Sequence, residues 1–360
     1  MKNSKFSLYI ISLKKNIISI IFLLFTIFLI TFSSSNLLAV KSGLKLWALN
    51  VVPSLFPFFI ATNLLGYTNV IKYFSKIFNK IMRPIFNVPG EASYAFILGL
   101  ISGYPVGAKI VTDLRNANLC TKDEAERMLC FTNNSGPLFI LGTVGLTLFA
   151  NYSIGLLLLV THILSAITVG IILGLISRLR KTQNISEIHH FNKLQKTKKL
   201  CTFSNLGEVL ASSIFDASKT IIMIGGFIII FSVLLAILER SHVLEIISLP
   251  LTILFDILGI QNSFATGFVS GLIELTNGVS IISSIANKNI WLNILFTAFL
   301  LGFGGFSVLL QVLSITSKAD LSIKKYFYGK LLQAIIATTY TYIFLNVIPI
   351  FNLNLFWRIM

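Results

Sequence analysis

The sequence predicts an all-α, polytopic membrane protein made of two inverted structural repeats with broken helices and re-entrant hairpins. Three observations predict it. The composition is 55% hydrophobic and only 12% charged, with a mean hydropathy of +0.85, whereas soluble domains carry about 25% charged residues. Several apolar stretches reach the roughly 20 residues that cross a hydrocarbon core, yet glycine and proline interrupt them. Finally, two of these interrupted regions recur at a constant offset of 168 residues.

Residues 1–40 form the first span. A basic run (Lys2, Lys5, Lys14, Lys15) precedes an apolar stretch from Ile17 to Phe32. No small-x-small cleavage pattern follows, so the segment is expected to be retained, with its amino terminus inside. Residues 41–176 form the first repeat. It opens with "KSGLKLWALNVVPSLFPFFIATNLLG" (41–66), interrupted at Pro53 and Pro57. In residues 69–86, Lys72, Lys76, Lys80 and Arg83 make one helical stripe beside Ile71, Phe74, Ile77, Phe78, Ile81 and Ile85. That pattern predicts a basic amphipathic helix lying in the interface against an anionic leaflet. An uninterrupted span runs from Tyr152 to Ile176.

Residues 177–205 carry Arg178, Arg180, Lys181, Lys193, Lys196, Lys198 and Lys199 against Glu187 alone. They read as a basic cytoplasmic linker by the positive-inside rule. The second repeat, 206–350, contains a span to Leu238, a short segment 240–259 and a glycine-broken stretch 264–280. Spans at 291–315 and 326–348 follow, with Lys318, Lys324 and Lys325 marking the inside, and 351–360 is a tail.

The repeat rests on "FILGLISG" (96–103) over "FATGFVSG" (264–271), where Phe, Gly, Ser and Gly recur in register. At the same offset Gly136 of "NNSGPLF" falls on Gly304 of "LGFGGFS". The basic helix, over 72–85, falls on 240–253, and the counterpart segment 239–256 bears Glu239, Glu245 and Asp256 against Arg240. Basic helices belong inside and the acidic one is permitted outside, so the halves are expected to be inverted, as in many secondary transporters.

The breaks carry the chemistry. In "GLISGYPVGAK" (99–109), Pro105 lacks an N–H, clashes with the preceding turn and drives Tyr104 out of the helical region. A helix is expected to stop near Ser102 and Gly103 and another to start at Pro105, exposing N–H groups around Gly107. The block "TNNSGPLF" (132–139) repeats the arrangement, with Ser135 or Gly136 as cap, Pro137 near the first turn, and Asn133 and Asn134 adding donors and acceptors. Helix starts converging at bilayer depth suit an anion. Lys109, one turn past Pro105, is the candidate ligand for it; the alternatives are that it snorkels to the interface or pairs with Asp113. In the second half, Gly304 and Gly305 loosen the backbone and complete the substrate site. Glu274 and Asn277 of "GLIELTNG" (271–278) suit a coupling cation or a proton, unless Glu274 pairs structurally with Lys109.

No metal site, cofactor or disulfide framework is readable from three cysteines and four scattered or tandem histidines. His162 reads as a packed, hydrogen-bonded residue, Arg127 as a solvated one, and Trp47 and Trp291 as interface anchors. Motifs of the HExxH, GxSxG and Walker A kinds are missing, so the chain is not expected to be an enzyme. The net charge of +16 lies in loops flanking spans, which argues against nucleic acid. The expected partners are membrane lipids, a small anionic solute and a coupling proton or cation. The oligomeric state is not encoded legibly.

Four blocks in order, "LWALNVVPSLFPFFI" (46–60), "LGLISGYPVGAK" (98–109), "FTNNSGPLFILGTVG" (131–145) and "GLIELTNG" (271–278), resemble the YlbJ-type sporulation integral membrane proteins, which contain a nucleoside-recognition, or Gate, domain. The resemblance runs from about Gly43 to Ile348. It implies similarity to concentrative nucleoside transporters, whose inverted halves each hold a re-entrant hairpin and a partly unwound helix. It further implies a role in spore formation, moving dipicolinate across the outer forespore membrane.

Overall fold

The computed structural model describes residues 2–180, 201–286 and 290–347. Most of the basic linker and the whole tail lie outside the described residues. All regular structure among the described residues is helical. The helices are α1 (Lys2–Thr31), α2 (Ser33–Leu46), α3 (Val52–Leu65), α4 (Val70–Ile81), α5 (Ala92–Ser102), α6 (Val106–Asn116), α7 (Lys122–Thr132) and α8 (Tyr152–Leu179). After the linker come α9 (Leu206–Arg240), α10 (Val243–Ile257), α11 (Ser263–Ile273), α12 (Leu275–Ser284), α13 (Trp291–Phe303), α14 (Gly305–Thr316) and α15 (Ile323–Val347). Wider π-helical turns extend α2 (Trp47–Val51) and α4 (Met82–Phe86), and a π-helix occupies Phe139–Leu148.

Three stretches among the described residues are long and apolar enough to cross a membrane: Tyr152–Leu179, Phe203–Arg240 and Trp291–Thr316. The 35 residues of α9 span roughly 50 Å at 1.5 Å per residue, so its ends reach well beyond the hydrocarbon. A fourth candidate is the pair Asn16–Thr31 and Ser33–Val51, which bends by 98°. Asn36 stabilises the bend, since its Nδ2 donates to the carbonyls of Phe28 and Leu29 at 3.0 and 3.2 Å. The Phe28 carbonyl also accepts from the Phe32 N–H at 3.1 Å, so the amide adds to the backbone bonds at the helix end. The expected first span is therefore half of an elbow. The expected span 291–315 is interrupted at Gly304, between α13 and α14.

Local signals account for the other ends. Thr121 and Glu124 form a reciprocal cap on α7, and Asn151 caps α8 by accepting from the N–H groups of Ser153 and Ile154. The amphipathic helix expected over 69–86 divides into α4 and the π turn. Lys76, Lys80, Tyr73 and Ile77 on it are exposed; the Lys72, Ile71 and Phe74 side chains lie outside the described residues.

The order long helix, short helix, helix–break–helix, helix–break–helix, long helix occurs twice. It runs from α2, continued through its π turn into α3, to α8 and again from α9 to α15, with the π-helix Phe139–Leu148 in the place of α14. The contacts are reciprocal: α6 packs on α14 and α12 on the π-helix, while α7 packs on α15 and α13 on α8. The two long closing helices, α8 and α15, pack on each other, as do α3 and α9.

Buried apolar side chains gather into two clusters. The larger draws on α5–α8 and α10–α15. The smaller joins Val51 and Phe59 to Ala217, Ile221, Ile224 and Ile228 of α9, with Val106 of α6 at its edge. Trp47 packs beside the smaller cluster. Its indole N–H donates to the Ile221 carbonyl at 2.9 Å, and its ring fills the notch left by Gly225. Arg127, expected to be solvated, is buried. It pairs with Asp123 and donates to the Asn87 carbonyl at 2.8 Å. Asp123 and Glu126 also pair with Lys325, and Arg115 with Asp320, so the α6–α7 turn is bound to the start of α15.

Candidate functional site

Helices stop where Pro, Gly or a capping side chain removes the next backbone bond, and four such stops meet in the interior. The first is the turn between α5 and α6. Gly103 takes φ +79° there, which favours glycine, and Tyr104–Pro105 is a cis peptide. Gly107 lies so close to the Thr132 carbonyl that any side chain would collide with it. The α5–α6 hairpin thus leans on the end of α7.

The second stop is the unwound segment 133–136, after which Pro137 opens the next helical turn. Its asparagines and the Ser135 N–H are engaged, whereas the buried Ser135 hydroxyl has no hydrogen-bond partner among the described residues. Asn133 Oδ1 accepts from the Ala108 N–H at 3.3 Å, and Nδ2 donates to the Tyr326 hydroxyl at 2.9 Å. Asn134 Oδ1 accepts from Gln333 Nε2 at 2.9 Å and from Lys330 Nζ at 3.4 Å. The Ser135 N–H donates to His162 Nε2 at 3.2 Å, so His162 is a packed, hydrogen-bonded residue.

The third stop is Glu274, between α11 and α12. Its carboxylate caps α12, Oε2 accepting from the Asn277 N–H at 2.7 Å. The fourth is Gly304–Gly305, with φ +87° and +80°. Gly304 faces the Tyr104 hydroxyl, which donates to the Leu301 carbonyl at 3.4 Å, and Gly305 lies against the end of α11 and the start of α12.

Between these stops lies a cavity of about 70 Å³, room for several waters. Of the residues singled out in the sequence, Gly103, Tyr104, Ser135, Gly136 and Glu274 line it. Thr276, Ser307 and Gln311 add polar groups, and Val51, Leu55, Ile224 and Ile228 form an apolar wall. The cavity therefore sits at the seam between the two apolar clusters. The Ser307 hydroxyl, 1% exposed at the start of α14, has no hydrogen-bond partner among the described residues.

The other expected site residues stand around it. Ser102 is buried, Pro105 precedes the first turn of α6, and Asn133 and Asn134 are buried against Tyr326 and Gln333 of α15. Two lie apart. Lys109 Nζ donates to Asn63 Oδ1 at 3.3 Å, and Asn277 Nδ2 donates to Ser232 Oγ at 3.1 Å; neither lines the cavity. The alternative ion pair of Lys109 with Glu274 does not form.

The buried lysine of the site is Lys330 on α15, 1% exposed. Its ammonium donates to the Asn133 carbonyl at 2.7 Å and Gln333 Oε1 at 2.6 Å, and stands 5.2 Å from the Tyr104 ring centroid. That is within reach of a cation–π attraction. No carboxylate among the described residues is within ion-pairing distance of it. An ionisable residue within an apolar helix is the signal that marks it; Lys330 falls five residues after Lys325 and reads as part of the basic flank.

The nucleoside-recognition (Gate) family model matches residues 48–191. The sporulation integral membrane protein YlbJ of Bacillus subtilis (strain 168) is 33% identical over 334 residues, covering 90% of this chain and 81% of that protein. No solved structure matches the chain.

Proposed function

The chain belongs to the YlbJ-type sporulation integral membrane proteins, and from that premise we propose that it is a transporter of a small anionic metabolite. The solute we favour is dipicolinate, carried into the developing spore across the outer forespore membrane. One observation carries the reading: a mainly apolar cavity with a few polar groups lies among the four helix stops, where the helices containing them meet the smaller cluster. Irregular backbone survives at membrane depth only inside protein or beside a watery cavity. An apolar seam between two bodies is a surface along which one can shift. Alternating access then follows from moving the cavity-bearing body against α3 and α9.

The repeated order of elements and the reciprocal contacts support two halves related by inversion, and the basic run at the start of the sequence supports a first amino terminus inside. At the cavity, the Ser307 hydroxyl and the starts of the π-helix and α14 offer donors to a carboxylate, and Lys330 supplies positive charge behind Tyr104. Glu274 is the one carboxylate that lines it. An anion sharing so small a space with Glu274 requires that carboxylate to be neutralised. Solute and a proton or cation therefore enter together.

A second reading has its own support. Among the described residues no lysine or arginine lines the cavity, while Glu274 and Gln311 present acceptors. A neutral solute rich in donors, such as a nucleoside, would suit those groups, and the Gate match carries the words nucleoside recognition. Thermal melting of the purified protein in detergent decides between them, because a ligand stabilises the fold it binds. Dipicolinate is expected to raise the melting midpoint. Stabilisation by adenosine or uridine instead would favour the second reading, and none by any of them would favour a non-transporting scaffold in spore assembly.

A further inference from the structure

Lys109 and Asn277 stand 168 residues apart, the offset that also relates the glycine breaks. Each lies about one turn into the helix that leaves a hairpin break, Lys109 on α6 and Asn277 on α12. Each turns away from the cavity and crosses the seam. Lys109 reaches Asn63 on α3, and Asn277 reaches Ser232 on α9. The two acceptors are themselves 169 residues apart, on the two helices that pair to form the flanking cluster. Matching positions in the two halves thus make matching polar bridges.

The acceptors are set in place beforehand. Asn63 Nδ2 donates to the Ser213 carbonyl of α9 at 3.2 Å, which leaves Oδ1 turned toward Lys109. Ser232 is 7% exposed and lies against Gly43 of α2, where an added Cβ would stand 3.1 Å from the hydroxyl oxygen. Around these bridges the seam is apolar, with Val51, Leu55, Ile224 and Ile228 on the flanking side. Apolar contact is non-directional and tolerates sliding, whereas a hydrogen bond weakens steeply once its angle and distance are lost. Together with the longer contacts of the Tyr94 hydroxyl to the Thr62 carbonyl at 3.5 Å and of Ser314 Oγ to Met223 Sδ at 3.7 Å, these directional bonds in a sliding seam define a rest position.

We propose that Lys109 and Asn277 are a matched pair of positioning residues. They latch the cavity-bearing body to α3 and α9, and they must release for the cavity to change the side it opens to. This rests on the transport reading of the cavity. The solute does not touch either residue; they act on the movement.

Cysteine pairs at 63 and 109, or at 232 and 277, in the full-length protein in liposomes test the latches. A short reducible bis-thiosulfonate bridges each pair, and wild type treated alike controls for Cys120, Cys130 and Cys201. Bridging either pair is expected to abolish dipicolinate uptake while dipicolinate still raises the melting midpoint, and reductant should restore uptake. Independently of any solute, bridging should slow hydrogen exchange in 135–139 and 304–308, segments that line the cavity and contain neither pair. Uptake undiminished by bridging, or exchange there unchanged by it, would overturn the latches. Absence of uptake by the unbridged protein would count against the transport reading instead, with exchange still deciding the latches.

Discussion

Lys330 donates to three oxygens from a site with no acidic partner in reach among the described residues. Replacing it with Met leaves the Asn133 carbonyl and Gln333 Oε1 short of a donor, at about 1–3 kcal/mol for each buried acceptor left unpaired. Lys330→Met should therefore lower the melting midpoint and abolish uptake, whereas Lys109→Met, farther from the solute, should leave dipicolinate binding intact; melting curves with and without dipicolinate check both. Glu274→Gln keeps an oxygen to cap α12 and removes the charge. It is expected to fold as wild type and to lose dependence of uptake on a proton or cation gradient, measured by imposing the gradient across liposomes. At this scale the sequence was only half legible. The rule that a lysine at bilayer depth is functional applies, but Lys109 advertised itself beside a proline break while Lys330 lay hidden behind Lys324 and Lys325. Arg127 misled for the opposite reason: a polar turn, "TKDEAERM", looks solvated until Asp123 and the Asn87 carbonyl fold over it.

Among the elements, the unwound segment 133–136 raises the question of what keeps it open. Proline at the first helical turn is well tolerated and acts mainly on the unfolded chain. Pro137→Ala is expected to cost less than about 1 kcal/mol. Asn134→Leu severs the bonds from Gln333 and Lys330 and should cost about 2–3 kcal/mol, so comparing the two melting midpoints tells whether partners or proline hold the break. Gly107→Val drives a branched side chain into the Thr132 carbonyl and should cost about 3 kcal/mol through overpacking, seen as a lower midpoint and weakened uptake. The stops at Pro105 and Pro137 were readable because proline is punctuation in any context. The π-helical course of 139–148 was not, since "FILGTVGLTL" has the same apolar pattern at either winding.

For the molecule as a whole, composition and periodicity reveal a helical membrane protein, and the positions of its breaks. They do not reveal that its apolar residues divide into two clusters, because Val, Ile and Phe look alike on either side of a seam. That partition depends on which helices pair, and pairing is a tertiary property. The elbow at Phe32 carries a last consequence. Local bonds from Phe32 and Asn36 close the end of α1, and Ile17, Ile18, Ile21, Phe22 and Leu23 are more than half exposed. The arm therefore borrows little from the rest of the chain and lends it little. Cutting away residues 1–31 should leave the melting midpoint of the remainder where it was, and a fluorophore fixed to that arm would report on the surrounding bilayer without disturbing the machinery it is attached to.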